Sequence, residues 1–175
     1  LYLLEFLIDL QKFGMKILFY INALGRGGAE RVMCNLATMF SEHNHECTIV
    51  TSFPVEKEYI PGNNVKRFSL FSEKLSCGFL KRNFRLTSEL RKYIQREKPD
   101  AVIAFMAEPN FRAIIASMGL KNKVIVSVRN DPDREYPNKL NQILAKTLYK
   151  LSKDRFDKST HKYVIAYKNL CRPVI

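Results

Sequence analysis

A glycine-rich run near the start of the chain has the composition of a phosphate-binding loop. Residues 25–30, Gly-Arg-Gly-Gly-Ala-Glu, stand between the apolar run Lys16–Ile21 and a segment with helical spacing. Glycine lets a backbone approach a ligand closely, and the amides at a helix start attract anions such as a diphosphate. Arg26 faces either that phosphate or solvent. The alternative is a tight turn that only packs the helix on the strand.

Two common nucleotide-binding motifs do not describe this run. In the dinucleotide fingerprint G-x-G-x-x-G, counted from Gly25, the last glycine would fall on Glu30. A P-loop is excluded because no Gly-Lys-Ser or Gly-Lys-Thr follows. Glu30 has a purely structural interpretation as well, since an acidic side chain is favourable in the first turn of a helix.

Two further polar groups follow strand-like runs. Residues 105–110, Phe-Met-Ala-Glu-Pro-Asn, begin at the end of one apolar run, and residues 128–132, Val-Arg-Asn-Asp-Pro, at the end of another. Charged and amide groups in that position often bind a ligand. The first group is equally typical of a strand end followed by a helix cap, and Asn-Asp-Pro is also ordinary turn chemistry.

Apolar runs of strand length alternate with segments of helical spacing. This alternation predicts an α/β fold, a Rossmann-like parallel sheet with helices on both faces. Ligands bind such sheets at the carboxyl ends of the strands, so the loops after Ile21, Phe105 and Val128 should share one rim. The predicted strands are 16–21, 47–51, 65–68, 101–105 and 124–128, and the helices are 32–40, 84–97, 110–117 and 140–151.

Composition sets the class of protein without naming a ligand. The 175 residues are 46% hydrophobic and 26% charged, which suits a packed globular domain, and the formal net charge is +12. Such a chain is attracted to nucleic acid, anionic lipid or nucleotide diphosphates alike. The four scattered cysteines indicate reduced thiols in a cytosolic protein. His43 and His45 indicate a helix end followed by a solvated turn, not a metal site.

Taken together, these segments resemble the N-terminal domain of family 4 glycosyltransferases, which have the GT-B architecture. Residues 16–19 leading to Gly-Gly-Ala-Glu-Arg at 27–31 carry the resemblance, with residues 98–106, Asn110 and residues 126–132. The last segment is similar to members that build bacterial capsule, O-antigen or exopolysaccharide. The Gly-Gly-Ala-Glu loop is moderately specific alone, whereas the ordered set is strong.

The resemblance implies two Rossmann-like domains facing a cleft, and transfer of a sugar from a nucleoside diphosphate to an acceptor hydroxyl with retained anomeric configuration. Gly27 and Gly28, together with Arg26, would face the donor diphosphate. The nucleotide-sugar is the substrate, so neither a cofactor nor a metal is expected. The helix start would stabilise negative charge on the leaving diphosphate.

The N-terminal domain of such enzymes mostly binds the acceptor, here a glycan that is lipid-linked in some members. Many members have a histidine near the strand end at residue 128, and this chain has none there, so the catalytic residue stays unknown. The expected acceptor-side cleft residues are Phe105, Met106, Asn110, Arg129, Asn130 and Asp131.

The resemblance divides the chain into three parts. Residues 1–14 form an extension, either non-native or a short amphipathic helix on a membrane surface; residues 15–151 form the domain; residues 152–175 form a tail without family resemblance. The resemblance implies a C-terminal donor-binding domain as partner, and we expect residues 1–175 to be inactive without it. A truncated or frameshifted gene product would explain both ends.

A basic run from residue 81 to residue 98, on the predicted helix 84–97 and just beyond both of its ends, suggests a competing function. The alternative to the enzyme is a non-catalytic basic module that binds anionic membrane or polysaccharide, and the structural alternative is a solvated helix face. Nucleic acid is not expected, because no recognised motif supports it. Under the enzyme interpretation we expect a cytoplasmic protein at the inner face of the cell membrane. The run comprises Lys81, Arg82, Arg85, Arg91, Lys92, Arg96 and Lys98.

Overall fold

The computed structural model describes residues 14–127 and residue 143. The predicted helix 140–151, the possible strand 163–167 and nearly all of the extension 1–14 therefore lie outside the described residues, except for Gly14 and residue 143. Within residues 14–127, no helix is long and apolar enough to cross a bilayer.

Strands and helices alternate along the described chain. The strands are β1 (Lys16–Ile21), β2 (Glu46–Thr51), β3 (Lys66–Ser69), β4 (Ala101–Phe105) and β5 (Lys123–Ser127). The helices are α1 (Gly28–Glu42), α2 (Phe79–Glu97) and α3 (Ala107–Ala116).

The described strands form one five-stranded sheet in the order β3-β2-β1-β4-β5. Every pairing is parallel; Phe19 of β1 lies between Ile49 of β2 and Ile103 of β4. The order reverses between β1 and β4, because the chain moves outward to β3 and then returns to the other side of β1. This confirms the predicted α/β, Rossmann-like parallel sheet, and the reversal point is where such sheets bind ligands.

Two apolar layers cover the two faces of the sheet. On one face, Ile17 and Phe19 pack with Met33 of α1. On the other, Leu18 packs with Leu90 of α2 and the apolar side of α3. Side chains alternate between faces along a strand, so β1 contributes to both layers and is buried from Ile17 to its end. Complete burial of each such side chain contributes roughly 1.5–3 kcal/mol.

The helix α2 begins five residues before its predicted start. Gly78 is its N-cap, and the first turn carries Phe79 and Leu80, both largely exposed. The sequence prediction was based on the buried stripe that includes Leu86 and Leu90. The first turns of the helix are exposed and carry no part of that stripe, so the prediction missed them. Those exposed apolar side chains have no structural role within the described sheet.

The prediction of a solvated turn at the end of α1 is wrong for one residue. His43 and Asn44 are exposed, but His45 is 6% exposed and its ring packs edge-on against Phe40 at a centroid distance of 5.8 Å. Among the described residues, no group of three metal-ligating side chains lies together.

Candidate functional site

The candidate site is the carboxyl edge of the sheet around the reversal between β1 and β4. Since all strands are parallel, Ile21, Phe105 and Ser127 end at the same edge. The first two of the three predicted loops, those after Ile21 and Phe105, start beside one another there. The third begins at residue 128, outside the described residues.

The glycine run forms the start of α1 at this edge. Gly27 is the N-cap residue with φ −104°, and within residues 14–127 no side chain caps the helix. The first amides of any helix have no carbonyl partner inside it. The glycine backbone and the positive end of the helix dipole are therefore together at the sheet edge, an arrangement that suits a diphosphate.

Residues before the glycine run are anchored, so the loop is held in place. Leu24 is buried, and its carbonyl oxygen accepts a hydrogen bond from the Tyr59 amide at 2.8 Å. The Gly27 amide donates to the Gly25 carbonyl at 2.9 Å, which tightens the turn. Arg26 is exposed at its tip.

The glycines of this turn differ in the space around them. A Cβ atom on Gly27 would meet the carboxylate of Glu30, whose Cδ lies 2.8 Å from that position. Among the described residues, a Cβ atom on Gly28 meets nothing within 4 Å, and neither does one on Gly25. A side chain at position 27 therefore requires the flexible Glu30 carboxylate to move, whereas the space beside Gly28 is open among the described residues.

The end of β4 contains an unusual backbone. Met106, the N-cap of α3, has φ 75° and ψ 158°, a region that residues other than glycine rarely adopt. Its amide donates to the Ser127 carbonyl at 3.1 Å, and the Asn110 side-chain nitrogen donates to the same oxygen at 3.1 Å. These bonds fasten the start of α3 to the end of β5.

The predicted acceptor-side residues occupy different depths. Phe105 and Asn110 are buried beneath the rim, and Met106 is partly buried at its surface. The Oδ1 of Asn110 is buried and has no hydrogen-bond partner among the described residues. Arg129, Asn130 and Asp131 lie outside the described residues, so their place at the rim stays a prediction.

A buried arginine, which the sequence analysis missed, joins the elements of this edge. Arg112 of α3 is 2% exposed. Its guanidinium donates to the Oδ1 of Asn22 at 2.5 Å, to the Oδ1 of Asn83 at 2.8 Å and to the Oε2 of Glu108 at 2.5 Å. The fork of guanidinium donors suits a buried charge that must satisfy several acceptors at once. The i, i+4 pair Glu108–Arg112 on a mostly apolar helix was the available sequence signal.

Two hydroxyl groups extend this network to β2. The Tyr20 and Ser52 hydroxyls lie 2.9 Å apart, and the Ser52 hydroxyl donates to the Oδ1 of Asn22 at 3.3 Å. Asn22 is the first residue after β1 and leads into the glycine turn. The network therefore fixes the position from which that turn departs.

A cavity lies at the opposite, amino edge of the sheet. Its volume is about 870 Å³, and its lining includes Lys98, Asp100, Lys121 and Lys123. Burial lowers the pKa of the Lys123 ammonium group. In parallel sheets of this kind, ligands bind at the carboxyl edge, so this cavity is not the candidate site. Its lysines make it the place where an anion would bind if the glycine turn does not.

Comparison with known proteins agrees with the fold and the resemblance. Residues 26–166 match Glycosyltransferase Family 4. Over 115 residues, the chain is 35% identical to "GalNAc-alpha-(1->4)-GalNAc-alpha-(1->3)-diNAcBac-PP-undecaprenol alpha-1,4-N-acetyl-D-galactosaminyltransferase" of Campylobacter jejuni subsp. jejuni serotype O:2. That alignment covers 65% of this chain and 32% of the relative, so the chain spans about a third of the length of that relative.

A solved structure shares the fold. The UDP-GlcNAc 2-epimerase from Methanocaldococcus jannaschii superposes with a TM-score of 0.51 at 14% identity, over 87% of this chain and 39% of that one. At that identity the likeness concerns the fold alone. The family match covers most of the chain and includes the glycine turn, and the chain therefore belongs to glycosyltransferase family 4.

Proposed function

We propose that this chain is the N-terminal, acceptor-side half of a retaining glycosyltransferase in cell-surface polysaccharide synthesis. Residues 15–151 form one wall of the cleft, and a C-terminal donor-binding domain forms the other. On this proposal the single wall does not transfer sugar by itself. The observation that carries the proposal is the uncapped start of α1 at Gly27 and Gly28, beside the reversal point of the sheet.

The amides at this helix start would act on the leaving group. In the transfer, the acceptor hydroxyl oxygen bonds to the anomeric carbon, the bond from that carbon to the diphosphate oxygen breaks, and the acceptor proton passes to the departing diphosphate. Negative charge grows on that diphosphate as its bond breaks. Amides of Gly28 and its neighbours, with Arg26 nearby, would stabilise this charge through preorganised dipoles.

The acceptor would be a glycan on a lipid diphosphate. The name of the Campylobacter relative describes a diphosphate-undecaprenol substrate. Met106 at the described rim, with Arg129, Asn130 and Asp131 beyond it, would face this acceptor. Such an acceptor places the protein at the cytoplasmic face of a membrane, with the basic charge of the chain assisting peripheral contact.

Binding measurements test the proposed donor class. UDP, GDP, UMP and inorganic phosphate are titrated into the full chain by calorimetry at fixed ionic strength. A nucleoside diphosphate presents a second phosphate to charge-assisted amide bonds, so UDP or GDP should bind about tenfold more tightly than UMP. If UDP and GDP both bound with the same affinity as UMP, a diphosphate site would be contradicted.

A further inference from the structure

The first turn of α3 carries a carboxylate that the structure holds in place. Glu108 is the second residue of α3, and its Oε2 accepts a hydrogen bond from the Arg112 guanidinium at 2.5 Å. The Arg112 side chain is 3% exposed, whereas the Glu108 side chain is 42% exposed. One end of this ion pair is therefore fixed in the interior, and the other end reaches the surface at the carboxyl edge of the sheet.

Glu108 is also the counter-charge of a buried cation. In the described part of the chain, the other groups that accept hydrogen bonds from the Arg112 guanidinium are the side-chain amides of Asn22 and Asn83 and the Tyr20 hydroxyl. A buried charge without a partner is strongly destabilising, so the guanidinium keeps the carboxylate at its side. A surface glutamate normally samples several rotamers, and Glu108 loses that freedom already on folding.

One oxygen of this carboxylate is available to a ligand. No residue in the described ranges donates a hydrogen bond to the Oε1 of Glu108. Among the same residues, no side chain caps the start of α3, and Pro109 brings no amide hydrogen. The amides of Ala107 and Glu108 have no carbonyl partner within the helix. An acceptor oxygen and two amide donors therefore lie together in one helical turn.

A hydroxyl group suits this combination better than an anion or a cation does. A hydroxyl donates one hydrogen bond and accepts others, whereas a phosphate would meet the fixed negative charge of Glu108. A cation would compete with a guanidinium that already neutralises the carboxylate. Glu30 occupies the third position of α1 but forms no ion pair with a described residue, so it can turn away from a phosphate, and Glu108 cannot.

The carboxylate lies beside the glycine turn. The Nη1 of Arg112 donates to the Oδ1 of Asn22 at 2.5 Å, and its Nη2 donates to the Oε2 of Glu108 at the same distance. One planar guanidinium therefore connects the residue that leads into the glycine turn with the start of α3. A sugar at Glu108 would share the carboxyl edge with a diphosphate at Gly28.

We propose that Glu108 is a specificity-determining residue that accepts hydrogen bonds from hydroxyl groups of the acceptor sugar. This inference rests on the proposed function and adds a residue to its acceptor side. Phosphate binds at the start of α1, and the uncharged sugar binds at the start of α3. A carboxylate accepts stronger hydrogen bonds than a neutral group does, and a side chain fixed in advance loses little conformational entropy on binding. Arg112 is the positioning residue of this subsite, because it acts through Glu108.

Titrations of the 15N-labelled full chain with methyl glycosides test the subsite. The probes are the methyl α-glycosides of glucose, galactose, N-acetylglucosamine and N-acetylgalactosamine, none of which carries a phosphate. At least one of them should shift the amides of Ala107 and Glu108. Glu108→Gln should weaken the binding of that glycoside about fivefold or more, because a charge-assisted hydrogen bond becomes a neutral one.

Two control variants separate sugar contact from charge and from stability. Glu89→Gln removes an exposed carboxylate of α2, which pairs with Lys92, and should leave glycoside binding unchanged. Asn122→Ala removes a buried amide that donates to the Ser117 hydroxyl at 3.0 Å, near the amino edge of the sheet. It should lower the midpoint of thermal unfolding, as Glu108→Gln does, without weakening glycoside binding.

The proposal is overturned if no glycoside shifts the amides of Ala107 and Glu108, or if Glu108→Gln binds as tightly as the unchanged chain. An equal loss of affinity in Asn122→Ala would also overturn it, because the loss would then follow stability. Displacement of the glycoside by UDP-glucose would do the same, because the subsite would then belong to the donor sugar. 

The response of Gly28 to UDP is a separate measurement. Glu108→Gln should retain it, because the start of α1 is unchanged in that variant. Its absence from the unchanged chain would contradict the diphosphate site and leave the glycoside result standing, whereas failure of the glycoside titrations would remove the role of Glu108 alone.

Discussion

The Nη1 of Arg112 lies 2.5 Å from the Oδ1 of Asn22, although 90 residues separate them in the chain. This contact connects α3, which follows β4, to the turn that follows β1. The two elements flank the reversal point of the sheet. The buried guanidinium therefore holds these two parts of the candidate site in a fixed relation.

Replacement of this guanidinium should loosen that connection. Arg112→Lys keeps the charge, but a single ammonium group cannot satisfy Asn22, Asn83 and Glu108 together. We expect the free energy of unfolding to fall by about 2–3 kcal/mol, the worth of one or two buried charge-assisted hydrogen bonds. Urea unfolding of the full chain measures this value.

A double-mutant cycle shows whether the effect passes through Asn22. Asn22→Ala, Arg112→Lys and the pair should give a coupling free energy of about 1 kcal/mol or more, as contacting residues do. Strict additivity of the two single variants would show that the short contact contributes nothing.

The backbone at Met106 should prefer glycine to alanine. Its φ of 75° with ψ of 158° lies where an L side chain is strained by roughly 1–3 kcal/mol. Met106→Gly and Met106→Ala both remove the long side chain, but only glycine relieves the strain. We expect the glycine variant to be the more stable by about 1 kcal/mol or more in urea unfolding. An alanine variant of equal or greater stability would contradict the strained conformation.

Cysteine reactivity should report burial in the folded domain. Burial raises the pKa of the Cys47 thiol to about 12 and also raises the pKa of Cys34. Because the thiolate is the reactive form, these two should resist iodoacetamide at pH 8, whereas half-buried Cys77 should react. Peptide mass spectrometry of the alkylated chain measures each site. Urea should expose all three, and rapid labelling of Cys47 in the native chain would contradict its position in the core.

The sheet is well predicted, because a strand that is buried on both faces appears in the sequence as a continuous run of apolar residues. The apolar runs Ile17–Ile21 and Ala101–Phe105 are continuous, and the observed strands Lys16–Ile21 and Ala101–Phe105 agree with the prediction. The predicted start of α2 was five residues too late. Phe79 and Leu80 are apolar but exposed, so they do not continue the buried stripe on which the prediction was based. No periodicity can find a helical turn whose apolar groups face outward.

The candidate site was only partly predictable. Local composition identified the glycine turn, because glycine needs no distant partner to take its conformation. Arg112, Asn22 and Asn83 become neighbours only through the folding of three separate elements, so spacing in the chain gives no indication of their contact. The orphaned Oδ1 of Asn110 is likewise a property of packing and not of sequence.

The structure also improves the design of a test for the glycine turn. Valine at position 27 would displace the Glu30 carboxylate, so lost binding in that variant has two explanations, a blocked ligand and a moved Glu30. Gly28→Val adds a side chain into open space instead, and Gly78→Val does the same at the start of α2. The second variant therefore serves as the matched control for the first.

A titration of the 15N-labelled full chain with UDP, in which nuclear magnetic resonance records the amide chemical shifts, tests the central claim most directly. We expect UDP to shift the amides of Gly27, Gly28 and Ala29, Gly28→Val to abolish the response at its neighbours, and Gly78→Val to retain it. Shifts confined to Lys98, Lys121 and Lys123 at the amino edge, or an unchanged response in Gly28→Val, would contradict a diphosphate site at the start of α1.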